Sequence, residues 1–410
     1  MKLARLLSMS ALVALAPVAA LSQTVLNFPS WQTEDRVFAP WWQSVIAEFE
    51  SQNPGVKVNM TAIPFAQYVQ QLTVQFAAST PPDIVHLPTR NFGPFASEGW
   101  LESLDDRLAA TDIPTAWSPL QAGMVWDGTT QGVLLMGYGS VMYYNEALLN
   151  AAGLAVPTTA DELLAAIEAI SKPDEGIFGF GGTTTEHPNV ATELANWAIN
   201  QGTNLVKDGK YNFTDPEVIA AIDKYRAAYK QASPGQGSTQ VSQLFIDGKI
   251  GFVLGGPFSW PNYVLADGSR QPDIKMARLP FPHTSGATSN SLHLAVDTED
   301  DKKELAWKFI QVATSPEFMA SYTAQTYSPA GRMDALSAEA MEKDPVLKIV
   351  ADAAAEAVDN FPPSLTVQAN YNEYAKYLTS AGLRLQGTDE PTEKILAELQ
   401  AELERRLPLN

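Results

Sequence analysis

Residues 24–60, TVLNFPSWQTEDRVFAPWWQSVIAEFESQNPGVKVNM, decide the fold because the spacing of their apolar side chains changes twice. Residues 24–28 predict a strand, residues 38–50 carry apolar side chains at helical spacing, and residues 56–60 predict a second strand. The Asn-Pro-Gly sequence at 53–55 would end the helix. A unit of strand, helix and strand is typical of an α/β fold with a largely parallel sheet.

The same alternation continues beyond this stretch. A helix over residues 68–78 and a short buried strand over residues 83–87 are predicted next. In open α/β sheets the ligand binds just beyond the carboxyl ends of the strands. We therefore expect residues 30–32 and 90–91, which follow the first and third strands, to contact a ligand.

The N-terminus has the features of a secretory signal peptide. Two basic residues precede an apolar, charge-free stretch at 6–16, which is too short for a spanning helix of about 20 residues. Ala20 and Ser22 form a small-x-small cleavage pattern, so residues 1–22 are predicted to be removed and the mature chain to start at Gln23. The chain has no cysteine, which excludes a lipid-bearing Cys and disulfides. A freely diffusing, monomeric periplasmic protein is expected.

Length and charge narrow the class of protein further. The 410 residues are more than one hydrophobic core usually organises, and 45% of them are hydrophobic, so two domains are expected. The formal net charge of −19 would repel nucleic acid and anionic lipid headgroups. No nucleic-acid partner is therefore predicted.

The motifs of common catalytic and cofactor sites are missing from the sequence. Ser140 lies in Gly-Tyr-Gly-Ser-Val, which lacks the final glycine of a nucleophile elbow. The four histidines show no spacing typical of a metal site. Residues 179–182 lack the dinucleotide fingerprint, and residues 248–250 lack the Ser or Thr of a phosphate-binding loop. We predict no enzyme activity, no metal and no cofactor.

Nine segments match the motifs of one protein family in order and spacing. They are residues 49–58, 82–85, 95–101, 143–149, 152–154, 157–163, 245–258, 306–310 and 314–317. In this set the chain resembles the extracellular solute-binding proteins of ABC importers, in the branch that carries sugars, and is distantly similar to maltodextrin-binding protein. It departs from the family pattern at Ala160 and Phe258, where Trp is usual.

The resemblance implies an α/β fold of two lobes, joined by hinge-crossing segments, with a ligand cleft between them. Gly- and Pro-rich breaks at residues 137–139 and 279–286 agree with crossing points. The implied boundaries are 23–137 and 288–327 for lobe one, and 138–287 and 328–410 for lobe two.

The strand-end rule and the resemblance together give eleven candidate ligand-binding residues. A sugar presents hydroxyls and patches of C–H, so aromatic faces and planar polar groups suit it. Tyr138 aligns with a hydroxyl-binding acid of maltodextrin-binding protein, and Phe258 with a stacking Trp. Each aromatic candidate has core packing as its alternative, and Arg90 has a surface or lobe-locking ion pair. The candidates are Trp31, Gln32, Arg90, Asn91, Tyr138, Thr185, Glu186, Phe258, Trp260, Asn290 and Arg332.

The predicted function is that of the periplasmic solute-binding component of an ABC importer. Its lobes would close around a sugar or related polyol, and the closed form would deliver the ligand to the membrane permease. Arg90 and Arg332 leave sugar acids and phosphorylated polyols open as ligands. The alternative is a secreted carbohydrate-active enzyme with paired carboxylates in the cleft between the lobes.

Overall fold

The computed structural model describes residues 23–362 and 364–409, so the predicted signal peptide, residues 1–22, lies outside the described residues. The strands are β1 (Thr24–Ser30), β2 (Val56–Ala62), β3 (Val85–Pro88), β4 (Val125–Trp126), β5 (Thr129–Thr130), β6 (Val133–Gly139), β7 (Val141–Asn145), β8 (Phe178–Gly181), β9 (Val206–Lys207), β10 (Lys210–Tyr211), β11 (Ile250–Gly255), β12 (Ile274–Arg278), β13 (Thr284–His293) and β14 (Ala357–Asp359).

The α-helices are α1 (Ala39–Gln52), α2 (Phe65–Ala77), α3 (Phe92–Ser97), α4 (Asp105–Leu108), α5 (Ile113–Ala116), α6 (Glu146–Ala151), α7 (Ala160–Ile170), α8 (Asn189–Asn200), α9 (Pro216–Tyr229), α10 (Ser238–Ile246), α11 (Asp300–Ala313), α12 (Pro316–Thr326), α13 (Ala338–Lys343), α14 (Pro345–Ala355), α15 (Leu365–Ala369), α16 (Tyr371–Gly387) and α17 (Thr392–Arg406). Short 3-10 helices cover Thr89–Asn91, Pro119–Met124, Pro173–Glu175 and Pro257–Asn262.

The first lobe is built on the strand, helix and strand that residues 24–60 predict. β1 and β2 pair in parallel, with Thr24 opposite Val56. α1 buries one apolar stripe, and this periodicity is why the segment folds as a helix against the core. Its buried members are Trp41, Trp42, Val45 and Phe49. Around the same core β13 runs antiparallel to both β3 and β6.

The second lobe contains a mixed sheet in the order β12-β7-β11-β8. β7 is antiparallel to β11 and to β12, while β8 and β11 are parallel. The prediction of largely parallel sheets is therefore wrong, although the α/β class is correct. Only Ser140 separates β7 from β6, which pairs with β13 in the other sheet, so the chain passes between the lobes here through a single residue. Apolar clusters fill both faces of the sheet.

The segments that cross between the lobes are hydrogen-bonded to one another. The Ser140 N–H donates to the Ser285 carbonyl at 2.8 Å, and the two hydroxyls are 3.0 Å apart. The Asn360 N–H, on a third segment, donates to the Gly286 carbonyl at 2.9 Å. A Cβ at Gly139 would lie 1.9 Å from the Ala353 carbonyl oxygen, so only glycine allows α14 to pack this closely on the crossing point.

Apolar packing divides the described chain into two main bodies. The first core draws on residues between 26 and 138 and between 292 and 335, and the second on residues between 141 and 279 and between 346 and 407. The residue-level boundaries of the lobes stay a prediction. No helix among the described residues is both long and apolar enough to cross a membrane.

Candidate functional site

A cavity of about 620 Å³ lies between the two lobes. The first lobe lines it with the ends of β1 and β3 and with residues of β6 and β13. The second lobe lines it with the ends of the parallel strands β8 and β11, with helices α8 and α10, and with the 3-10 helix Pro257–Asn262. Strand ends of both lobes thus meet at one cavity, as the general rule for α/β sheets requires.

Six of the eleven candidate residues line this cavity. They are Trp31, Gln32, Arg90, Tyr138, Phe258 and Asn290. The other five lie outside the lining: Asn91, Thr185, Glu186, Trp260 and Arg332.

Trp31 contributes an aromatic ring to the cavity wall, and two neighbouring rings support it. Its ring stacks on His86 with centroids 4.1 Å apart and planes 16° from parallel, and the edge of Tyr68 packs at 4.9 Å. His86 is fully buried and shares a 3.0 Å hydrogen bond with Ser30. Burial and the nearby His293 lower the pKa of His86 to about 3, so the ring is neutral. Trp31 is therefore fixed by neutral packing before any ligand arrives.

Tyr138 and Phe258 form a second aromatic wall that joins the lobes. Their rings meet edge to face with centroids 5.1 Å apart. Phe258 follows β11 of the second lobe, yet it packs against the first core. Burial raises the pKa of Tyr138 to about 12, so its hydroxyl stays neutral and can both donate and accept.

Neutral polar groups supply most of the remaining lining. In the first lobe, Gln32 accepts a hydrogen bond from the Trp42 indole at 2.8 Å, and Asn290 is 3% exposed. In the second lobe, helix α8 presents the neutral side chains of Asn189, Thr192 and Asn196, together with the carboxyl group of Glu193. Hydroxyls of α10 add Ser238, Thr239 and Ser242.

The α8 residues were missed in the sequence, although they carry a readable signal. Asn189, Thr192, Glu193 and Asn196 follow the i, i+3, i+4, i+7 spacing of one helix face. The opposite face is apolar and buried in the second core. A polar stripe on a helix is usually solvated, so this spacing alone does not distinguish a ligand-binding face from a solvent-exposed one.

The two carboxylates of the described lining are held by the chain itself. Asp35 Oδ1 accepts from the backbone N–H groups of Val37 at 2.7 Å and Phe38 at 3.1 Å. Glu193 accepts from the Thr183 hydroxyl at 2.8 Å and from the Tyr229 hydroxyl at 2.5 Å. Burial raises the pKa of Glu193, although these hydrogen bonds act in the opposite direction. Both carboxylates therefore fix the cavity wall.

Arg90 is the basic residue of the described lining. Its guanidinium lies over the Phe65 ring, 5.2 Å from the centroid. The residue follows β3 on the 3-10 helix Thr89–Asn91, at the strand end where the sequence predicts it. It is half-buried and lines the cavity from the side of the first lobe.

Arg332 and Trp260 have other roles, and the structure does not support them as ligand contacts. Arg332 is buried and pairs with Asp112 at 2.6 Å beside the Trp117 ring. Trp260 is 6% exposed and packs in the second lobe, with the Arg270 guanidinium 4.2 Å from its ring centroid. Ion pairing accounts for the position of Arg332, and core packing accounts for that of Trp260.

Asn91, Thr185 and Glu186 are likewise not among the lining residues. Asn91 is buried, and its amide donates to the Asn372 side chain at 3.2 Å. Thr185 and Glu186 lie in the turn between β8 and α8, and Glu186 is exposed. The prediction located the correct turn but not its lining residues, because α8 turns its own side chains into the cavity.

Comparison with known proteins agrees with this geometry. The family model of the bacterial extracellular solute-binding protein matches residues 34–320. A binding protein of Brucella abortus is 29% identical over 302 residues, covering 69% of this chain and 71% of the relative. The diacetylchitobiose binding protein DasA of Streptomyces coelicolor is 25% identical, covering 68% of this chain and 67% of DasA.

A solved structure shares the whole fold. The ABC transporter solute-binding protein of Thermotoga lettingae, bound with α-D-tagatose, superimposes with a TM-score of 0.81 at 21% identity, covering 94% of this chain and 100% of that one. The predicted two-lobed fold and the predicted solute-binding class are thereby confirmed. The chain belongs to the family of bacterial extracellular solute-binding proteins.

Proposed function

We propose that this protein binds a sugar or polyol between its lobes in the periplasm and delivers it to the membrane permease of an ABC importer. The observation that carries the proposal is the lining of the cavity, which combines aromatic rings, amides and hydroxyls from both lobes. Its volume of about 620 Å³ falls in the range of small-molecule sites. The relative from Streptomyces coelicolor is named for diacetylchitobiose, and the structure from Thermotoga lettingae is bound with α-D-tagatose.

The chemistry of the lining suits a polyhydroxylated ligand. Each sugar hydroxyl both donates and accepts a hydrogen bond, and the side chains of Asn189, Asn196, Asn290 and Gln32 offer both functions. The C–H faces of a sugar ring pack well on aromatic rings such as Trp31. Because buried polar groups are costly when unpaired, such a lining favours ligands with many hydroxyls over apolar ones.

Contacts between the lobes support a hinge mechanism. The Arg36 guanidinium, beyond β1, donates to the Pro261 carbonyl at 3.1 Å and to Asn262 Oδ1 at 3.2 Å, across the cleft. A ligand that touches both walls adds contacts in the closed form and shifts the population toward it. The permease would then receive the closed, ligand-bound protein.

We further propose that the protein is a monomer that binds without turnover. A glycoside hydrolase needs one carboxylic acid and one carboxylate free to act on the scissile bond. Asp35 and Glu193 are instead occupied by donors of the chain. The family match favours binding over the alternative of a carbohydrate-active enzyme.

A thermal-shift screen of the exported protein against sugars and polyols tests the proposal. A ligand at 100 times its Kd adds about 2.7 kcal/mol to the free energy of unfolding. Calorimetry of each hit should give one site per chain, and chromatography should return the ligand unchanged. Release of a hydrolysis product would contradict binding without turnover, and the absence of any hit would contradict the ligand class.

A further inference from the structure

The charged side chains that line the cavity differ in the partners that the chain provides for them. Among the described residues the charged members of the lining are Asp35, Arg90 and Glu193. Both carboxylates accept hydrogen bonds from the chain. Arg90 differs, because none of the ion pairs in the described part of the chain involves it. Its partner on the protein is the face of Phe65.

This imbalance has an energetic consequence for closure. When the lobes exclude water, a guanidinium that forms no ion pair with the chain loses hydration without a paired opposite charge in return. A carboxylate or phosphate on the ligand restores that loss through charge-assisted hydrogen bonds, and Arg matches such groups with two parallel donors. Closure around an anionic ligand is therefore favoured over closure around its neutral counterpart.

The surroundings of Arg90 fit an anion. Arg90 and Asn189, the first residue of α8, line the same cavity, and burial together with the charge of Arg90 lowers the pKa of His187 in the turn before that helix. The N-terminal turn of α8 begins at Asn189 in the lining and adds its partial positive charge to that of Arg90. Two carboxylates lie near this end of the helix: Glu186, in the preceding turn, is exposed to solvent, and Glu193, one turn further along, accepts hydrogen bonds from the chain.

We propose that the natural ligand is a sugar or polyol that carries one anionic group, a carboxylate or a phosphate, and that Arg90 binds this group. The inference rests on the proposed function and narrows its ligand class. Arg332, the other arginine considered from the sequence, cannot share this role because it pairs with Asp112 outside the lining.

Calorimetric titration with matched pairs of ligands tests the inference. The carboxylate arm compares glucose with glucuronate and glucitol with gluconate, and the phosphate arm compares glucose with glucose 6-phosphate and glycerol with glycerol 3-phosphate. We expect an anionic member to bind about 10- to 150-fold more tightly than its neutral partner, the factor that charge-assisted hydrogen bonds supply. The arm with the larger preference identifies the anion.

Variants of Arg90 and of Arg36 test whether Arg90 causes the preference for anionic ligands. Arg90→Gln should abolish most of the anionic preference while changing the affinity for the neutral partner less than about threefold, and Arg90→Lys should restore only part of it. Arg36→Gln removes the same charge beside the cleft from a residue outside the lining, so it should leave the ratio of the two affinities unchanged. Unchanged melting temperatures of the ligand-free variants verify folding.

The outcomes separate the two proposals. A neutral sugar that binds as tightly as every anionic analogue would overturn the inference and leave the proposed function standing. An Arg90→Gln variant that weakens neutral and anionic ligands by the same factor would assign Arg90 to hydroxyl binding and also overturn it. Failure of a full library of neutral and anionic compounds to bind would contradict the proposed function itself.

Discussion

In the first lobe the cavity wall is a strand end backed by buried aromatic rings, whereas in the second lobe it is largely one polar face of helix α8. Trp31 is supported by His86 and Tyr68, so its orientation depends on the first core. The α8 residues stand on a helix whose other face is buried, so their directions follow from helix geometry alone. Substitutions in the first core should therefore alter the shape of the first wall, whereas in the second wall each substitution should alter only the contact of the side chain that is replaced.

The largest expected effect is the loss of stability in acid that buried histidines cause in the first lobe. Burial lowers the pKa of His86 to about 3 and that of His293 to about 4, from an ordinary value of 6.5. The unfolded chain then binds more protons than the folded one below pH 6.5, so stability is lost as pH falls toward those values. Between pH 6.5 and pH 4 the loss is about 3 kcal/mol for each histidine.

Urea unfolding at several pH values checks this prediction. His86→Gln should reduce the slope of the unfolding free energy by about 1 kcal/mol per pH unit between pH 6 and pH 4. Asp359, near the crossing segments, makes stability depend on pH in the opposite direction. Burial raises its pKa to about 6, so its contribution to stability is lost as pH rises through that value. Asp359→Asn should therefore increase the free energy of unfolding more at pH 7 than at pH 4. If His86→Gln leaves the pH slope of the wild type unchanged, the assignment of this slope to the first wall is wrong.

The second prediction compares aromatic contacts from the two sides. Trp31→Ala and Phe258→Ala should each weaken ligand binding by about 1–3 kcal/mol, since each removes one aromatic face from a buried contact. Phe258→Trp should be tolerated, because it retains the apolar face. Calorimetry with the best hit of the screen gives the affinities.

A melting curve of each ligand-free aromatic variant is the control. Trp31→Ala removes the ring that covers His86, so we expect a lower melting temperature as well as weaker binding. If Phe258→Ala lowers the melting temperature and leaves affinity intact, Phe258 only packs against the first core, and the second aromatic wall loses its assigned role.

The amount that the sequence could predict differs between the walls for a physical reason. Strand ends are set by short-range patterns, and the turns after β1 and β3 gave Trp31, Gln32 and Arg90. The α8 face depends on how a helix packs on a sheet formed by distant segments, and its polar stripe looks like an ordinary solvated face. Trp260 was predicted because loops from the second half of the chain should close over the ligand, but on the 3-10 helix Pro257–Asn262 it packs into a core cluster of the second lobe, whereas Phe258 packs against the first core.

The third prediction tests a single side chain of the second wall. Thr192→Val keeps the shape of the side chain and removes its hydroxyl from the lining. Affinity should fall by about 0.5–1.5 kcal/mol if that hydroxyl bonds the ligand. Thr73→Val, on the exposed side of α2, is the matched control and should leave affinity unchanged. Equal affinities of both variants would remove Thr192 from the site.

The smallest expected effect concerns the contact that joins the walls directly. Arg36 donates to Pro261 and Asn262 across the cleft but does not line the cavity, so its removal can affect binding only through closure. Arg36→Ala should weaken affinity by about 0.5–1 kcal/mol, because exposed charged contacts contribute little, and the change should lie mainly in faster dissociation. Lys57→Ala removes a charge paired with Glu50 within the first lobe and should leave dissociation unchanged. Stopped-flow dissociation rates distinguish the two. Equal rates for Arg36→Ala and wild type would mean that the ligand alone holds the two walls together.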